Sequence, residues 1–165
     1  MKKLLLPFLL LSLIVFSCDD DDSDTTKPQI ANLEPEENEM FEIGVPIHFE
    51  ADISDNEGLR SYKIDIHNNF DNHGHGQKLA ANDNDSTAYS FTKVWMYDKE
   101  GGFLLEGMKN AHLHHHEIII PTQQNGKHIK PGRYHFVLYV VDMAGNETMQ
   151  ARNIVLTYDE VSNSH

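Results

Sequence analysis

The sequence predicts an all-β protein: one immunoglobulin-like β-sandwich of about seven strands. Three observations lead there. From Lys27 onward the apolar residues recur at every second position, no long segment holds a 3.6-residue period, and turn-forming clusters separate the runs. Those clusters are Asn56-Glu57-Gly58, Lys130-Pro131-Gly132 and Ala144-Gly145-Asn146. Alternation at period two marks strands with one face buried, and several short strands with regular turn punctuation mark a sandwich.

The first element stands apart from the sandwich. Lys2 and Lys3 precede an apolar run, residues 4–16, broken only by Pro7 and Ser12. A membrane span needs about 20 apolar residues, so this shorter run reads as the core of a secretory signal peptide over 1–17. Its end, Val15-Phe16-Ser17-Cys18, resembles a bacterial lipobox, which implies lipidation of Cys18 as the first mature residue. Cys18 is the single cysteine of the chain, so no internal disulfide is expected. Residues 18–27 then form an acidic tether, with Asp at 19–22 and 24. As physics this is a solvated, self-repelling linker. As a signal it looks like the surface-export sequence of Bacteroidetes lipoproteins, which implies a lipid-anchored place on the cell surface of the outer membrane. An Asp in this position of enterobacterial lipoproteins would imply inner-membrane retention instead.

The domain itself is expected over 28–158, followed by a tail at 159–165. Its strands are read at 29–33, 45–53, 60–67, 88–97, 114–120, 133–142 and 148–158, corresponding in order to the seven strands of the fold. In the second, Val45, Ile47, Phe49, Ala51 and Ile53 alternate with Pro46, His48, Glu50 and Asp52. In the third, Tyr62, Ile64 and Ile66 alternate with Lys63, Asp65 and His67; in the sixth, Tyr134, Phe136, Leu138 and Val140 alternate with His135, Val137, Tyr139 and Val141. Two segments resemble bacterial immunoglobulin-like modules. One runs from Lys27-Pro28-Gln29-Ile30 through Glu42-Ile43-Gly44 to residues 54–59. The other runs from Pro131-Gly132-Arg133-Tyr134 to Asp142-Met143-Ala144-Gly145-Asn146. The resemblance implies that Tyr134 packs at a strand corner and that Asp142 and Asn146 hold the last turn. Two connections, 68–87 and 98–113, are long for a compact domain and border histidines, which favours function there.

Composition narrows the function classes. The formal net charge is −13, and removal of Lys2 and Lys3 with the leader makes it more acidic. Such a surface repels nucleic acid and anionic membrane and attracts cations. There are 11 histidines, and they cluster. His67, Asp71, His73 and His75 end the third strand and enter its loop; His112, His114, His115, His116 and Glu117 open the fifth; His135 opens the sixth. Strand side chains at i and i+2 share a face about 6.5–7 Å apart, close enough for two imidazoles to lean onto one ion. His114 and His116 form such a pair, and His73-Gly74-His75 repeats it in a loop. In this fold the third and sixth strands are antiparallel neighbours, so His67 and His135, both on the outward phase, are expected to meet across the ladder.

Imidazole with an occasional carboxylate suits zinc, and also copper or nickel. The expected ligands are His67, His73, His75, His114, His116, His135 and Asp71, with Glu117 as a further carboxylate. His48, His128 and His165 read as lone exposed histidines. The phase of the fifth strand is open: isoleucines stand on both phases, so either His114 and His116 or His115 and Glu117 take the core side. The run at 82–85 resembles a calcium loop only loosely, since the glycine and distal Glu are missing. No nucleophile elbow, phosphate-binding glycine loop or helical H-E-x-x-H is present.

The segment 64–71 with His73 and His75, and 114–121 leading to residues 131–135, resemble a family of uncharacterised Bacteroidetes lipoproteins with an immunoglobulin-like domain of unknown function. The resemblance spans roughly 27–157 and implies fold and location, not activity. Three functions follow in order. The first is a surface lipoprotein binding a transition metal, with uptake lost as imidazoles protonate near pH 6. The second is an adhesion or scaffold module contacting envelope protein or glycan through Trp95, Tyr97 or Phe103. The third is an open-site zinc hydrolase with Glu117 as base; no catalytic residue is otherwise expected. Histidine ligation of haem is a fourth.

Overall fold

The computed structural model describes residues 23–70, 85–97 and 102–161, and these are all-β, without a helix. The strands are β1 (Gln29–Glu34), β2 (Glu39–Glu42), β3 (Pro46–Ser54), β4 (Leu59–Asn68), β5 (Ser86–Thr87), β6 (Phe91–Trp95), β7 (Asn110–Ile119), β8 (Gln123–Gln124), β9 (Lys127–Ile129), β10 (Gly132–Asp142) and β11 (Glu147–Thr157). A three-stranded sheet in the order β1-β3-β7 packs on a five-stranded sheet in the order β2-β11-β10-β4-β6, and β5, β9 and β8 form a small third sheet. The two main sheets repeat the immunoglobulin-like arrangement, in which the third strand lies beside the sixth and the second beside the fifth.

The alternation read from the sequence sets the core. Ile47, Phe49, Ala51 and Ile53 of β3 are buried, as are Tyr62, Ile64 and Ile66 of β4 and Tyr134, Phe136, Leu138 and Val140 of β10. Phe49 meets Tyr62 at 6.0 Å and Phe136 at 5.9 Å between ring centroids, which joins the sheets. Tyr62 stacks on Trp95 at 5.1 Å and 8°. Each large side chain so buried contributes about 1.5–3 kcal/mol by leaving water.

Four departures from the sequence reading have physical causes. The run at 88–97 yields β6, which pairs with β4 rather than with β7, as the fourth strand of a seven-stranded domain would; the Tyr62–Trp95 stack holds it there. The fifth strand begins at Asn110, not His114, because its first residues pair with the end of β3, Asn110 opposite Ser54. β2 is too short to show a period, with only Phe41 buried, and exists through parallel pairing with β11. The third sheet is likewise made of two- and three-residue strands.

Two corners are tied by side chains. The Tyr134 hydroxyl donates to the Lys130 carbonyl at 2.6 Å and accepts the Tyr89 amide at 3.1 Å, the tyrosine corner of this fold. Burial pushes the Tyr134 phenol up to about 12. Asp142 Oδ1 accepts the amides of Gly145 at 2.6 Å and Asn146 at 2.8 Å, closing the turn before β11.

Candidate functional site

The strands present histidines on the outer faces of both main sheets. On the three-stranded sheet, the outward phase of β3 carries His48, Glu50 and Asp52, and that of β7 carries His112 and His114. Up to this point β7 alternates regularly, with Ala111, Leu113 and His115 inward. Then the register shifts: Phe49 pairs with His115, but Ile47 pairs with Ile118. Two residues, His116 and Glu117, therefore oppose His48 alone. This is a β-bulge, which inserts one residue and re-aims the strand.

The bulge makes the fifth strand change phase: His115 is inward before it and Ile118 after it, while His114 and His116 both stay off the core side. His115 is inward and fully buried between Phe49, at 4.8 Å, and Trp95, at 5.1 Å. Ile118 and Ile120 are also inward, and His116 stays on the outside with His114. Glu117 turns toward the other sheet, where its Oε2 accepts Trp95 Nε1 at 3.1 Å and lies 3.4 Å from Lys93 Nζ.

Three imidazoles converge on this outer face. The rings of His48 and His114 lie 5.1 Å apart, His48 and His116 4.9 Å, and His114 and His116 5.1 Å. One nitrogen of each lies within 4.8 Å of the others. Nitrogen ligands of a tetrahedral zinc stand about 3.3 Å apart, so small rotations of these partly exposed rings close the gap. Carboxylates flank the group: His48 Nδ1 lies 3.7 Å from Glu34 and its Nε2 3.6 Å from Glu50. Glu50 also reaches His112 Nε2 at 3.2 Å, and His112 Nδ1 contacts Asp52 at 2.8 Å. The hydrogen bonds from His112 and from the Asn32 amide hold the Asp52 carboxyl below its ordinary 3.8. Carboxylates in such positions orient ligating imidazoles or complete a coordination shell.

A second group stands on the outer face of the five-stranded sheet. His135 pairs directly with His67 across the β4–β10 ladder. His67 Nδ1 contacts Asp65 Oδ1 at 2.5 Å, and Thr92 Oγ1 donates to Asp65 Oδ2 at 2.5 Å. Although on the outward phase, His67 and His135 are only 7% and 5% exposed. Asn153, next to His135 on β11, binds Glu37 through its side-chain amide at 2.6 Å and its backbone N–H at 2.9 Å.

The residues expected as ligands thus divide. His114 and His116 belong to one sheet and His67 and His135 to the other, with a core about 10 Å thick between the sheets. They cannot share one ion. Asp71, His73 and His75 lie outside the described residues, as does Cys18. His48, read from the sequence as a lone exposed histidine, is the residue that joins His114 to His116. The available signal was its outward phase on the second strand, which in this fold lies beside the fifth. Of the aromatics considered for adhesion, Trp95 is core, Phe103 packs half-buried against the core, and Tyr97 is exposed.

The chain belongs to a family described as a domain of unknown function, DUF4625, whose model matches residues 16–157. No curated protein matches the sequence. Among the described residues no helix is long and apolar enough to cross a membrane.

Proposed function

We propose that this member of the family is a cell-envelope lipoprotein whose sandwich binds a transition metal, zinc foremost, through His48, His114 and His116. The observation that carries the reading is the convergence of these three imidazole nitrogens within 4.8 Å on one outer face. The donor set is nitrogen with nearby carboxylate and no thiolate, which suits zinc and also copper or nickel. Glu50 and Glu34 are the carboxylates beside it. Three protein ligands leave a fourth position for water, Glu50 or a group from a partner. Anchoring through Cys18 to the outer membrane, on the surface side, rests on the lipobox and the acidic run that follows it.

The test is zinc titration of the chelator-treated full chain against a chromophoric competitor, beside His48→Ala, His114→Ala and His67→Ala. One tight equivalent is expected, weakened at least tenfold in the first two variants and unchanged in the third. Uptake should fall as the pH is lowered, because protons compete with the metal for the imidazole nitrogens. Uptake indifferent to His48 and His114 would sink the reading.

One observation favours a second reading, an adhesion or scaffold role. Val94, Met96, Tyr97 and Leu104 are all exposed at and beside the edge strand β6. Glycan or envelope-protein binding that survives chelation and is lost in Tyr97→Ser would support it.

A further inference from the structure

The end of the sandwich away from both histidine groups carries an all-oxygen cluster. Asp55 opens the β3–β4 turn, Asp142 ends β10, and Asp24 comes from the segment leading into β1. One carboxylate oxygen of each lies within 4.8 Å of the others. Asp55 and Asp142 are 8% and 1% exposed.

Hydrogen bonds account for part of this cluster only. Asp55 Oδ1 accepts the amides of Glu57 at 2.9 Å and Gly58 at 2.6 Å. Asp142 accepts the amides of Gly145 and Asn146 through Oδ1, and the Asn146 side-chain amide through Oδ2 at 2.7 Å. Asp24 Oδ1 accepts the Thr26 amide at 2.9 Å and the Asn56 side-chain amide at 3.2 Å. The second oxygens of Asp55 and Asp24 are closed off from solvent and have no hydrogen-bond donor. Among the described residues no Lys or Arg forms an ion pair with any of the three. A carboxylate as buried as Asp55, with an orphaned oxygen and two like charges beside it, is costly unless a cation compensates.

We infer that Asp24, Asp55 and Asp142 form a calcium site that fastens the acidic tether to the end of the sandwich. The ligands are hard oxygens at irregular positions, which calcium tolerates and magnesium does not. The tether is already positioned for this: the Asn146 side-chain amide donates to the Asp24 carbonyl at 2.9 Å and the Thr26 carbonyl at 3.3 Å. With the ion bound, Asp24 is fastened to the turns that follow β3 and β10. This site is independent of the histidine reading, shares no residue with it, and stands or falls alone.

The experiment is thermal unfolding and calorimetric titration of the full chain, first in chelator, then with calcium and separately with magnesium. Calcium should bind with one equivalent, in the range from tens of micromolar to millimolar typical of extracellular modules, and raise Tm. Asp24→Asn, in a partly exposed position, should weaken calcium binding at least tenfold without changing Tm in chelator. Asp55→Asn keeps an acceptor for the turn amides and removes one of three like charges. It should match or exceed the native Tm in chelator and lose the calcium response. No calcium-dependent Tm shift, an equal response to magnesium, or an undiminished response in both variants would overturn the proposal.

Discussion

His135 stands directly opposite His67 in the β4–β10 ladder, its Nδ1 3.4 Å from Nε2 of His67. The other nitrogen of His67 is held by Asp65, and Asp65 by Thr92. The carboxylate orients the ring, so that a proton on Nδ1 leaves the Nε2 lone pair facing His135. Asp65→Ala removes the acceptor of a buried ring and should destabilise the fold by about 1–3 kcal/mol. Thr92→Val, which removes only the outer hydrogen bond, should cost less, about 0.5–1.5 kcal/mol. Urea unfolding of both variants checks the order; equal effects would mean that the chain of contacts does not act through His67.

The tyrosine corner offers a cleaner deletion. Tyr134→Phe keeps the buried ring and removes one oxygen, leaving the Lys130 carbonyl and the Tyr89 amide without that partner. A loss of about 1–3 kcal/mol is expected in denaturant unfolding. A neutral result would show that water or a shifted backbone replaces the hydroxyl.

The Asn153–Glu37 contact predicts a pH dependence. The hydrogen bond from the Asn153 side chain is the largest cause that holds the Glu37 carboxyl below its ordinary 4.5. A carboxyl depressed in the folded state contributes stability above its unfolded value and loses it as the pH falls through the folded value. The stability gap between native chain and Asn153→Ala should therefore be constant above about pH 5 and narrow below 4.5. A pH-independent remainder should persist from the lost Asn69–Asn153 bond. The pH-dependent part is expected to be small, since Glu37 is exposed. Tm measured from pH 7 to pH 3 reads both parts.

The bulge predicts the effect of a deletion. Removing Glu117 erases the extra residue opposite His48, so the two halves of β7 can no longer keep both their inward sets. Either Ile118 and Ile120 turn outward or Leu113 and His115 do. Each misplaced large apolar side chain costs about 1.5–3 kcal/mol, so marked destabilisation and loss of zinc uptake are expected together. Glu117→Ala keeps the residue count; it should retain zinc uptake while losing the contacts to Trp95 and Lys93. Calorimetry and zinc titration of the two variants separate chain length from side chain.

The sequence by itself determined the class of fold and the inward and outward faces of β3, β4 and β10; resemblance to immunoglobulin-like modules added the corner at Tyr134 and the meeting of His67 with His135. Alternation at period two is a local property, and an antiparallel pair of regular strands carries it across to the partner. Only the tertiary structure decided where β6 pairs, how β7 changes phase and which imidazoles gather. A bulge is a count of two residues against one, and that count exists only once β3 lies beside β7. For the same reason His48, far from His114 and His116 along the chain, looked solitary until register brought the three together. Asp24, Asp55 and Asp142 likewise meet because three separate segments end at one pole of the sandwich, a proximity that no spacing in the chain encodes.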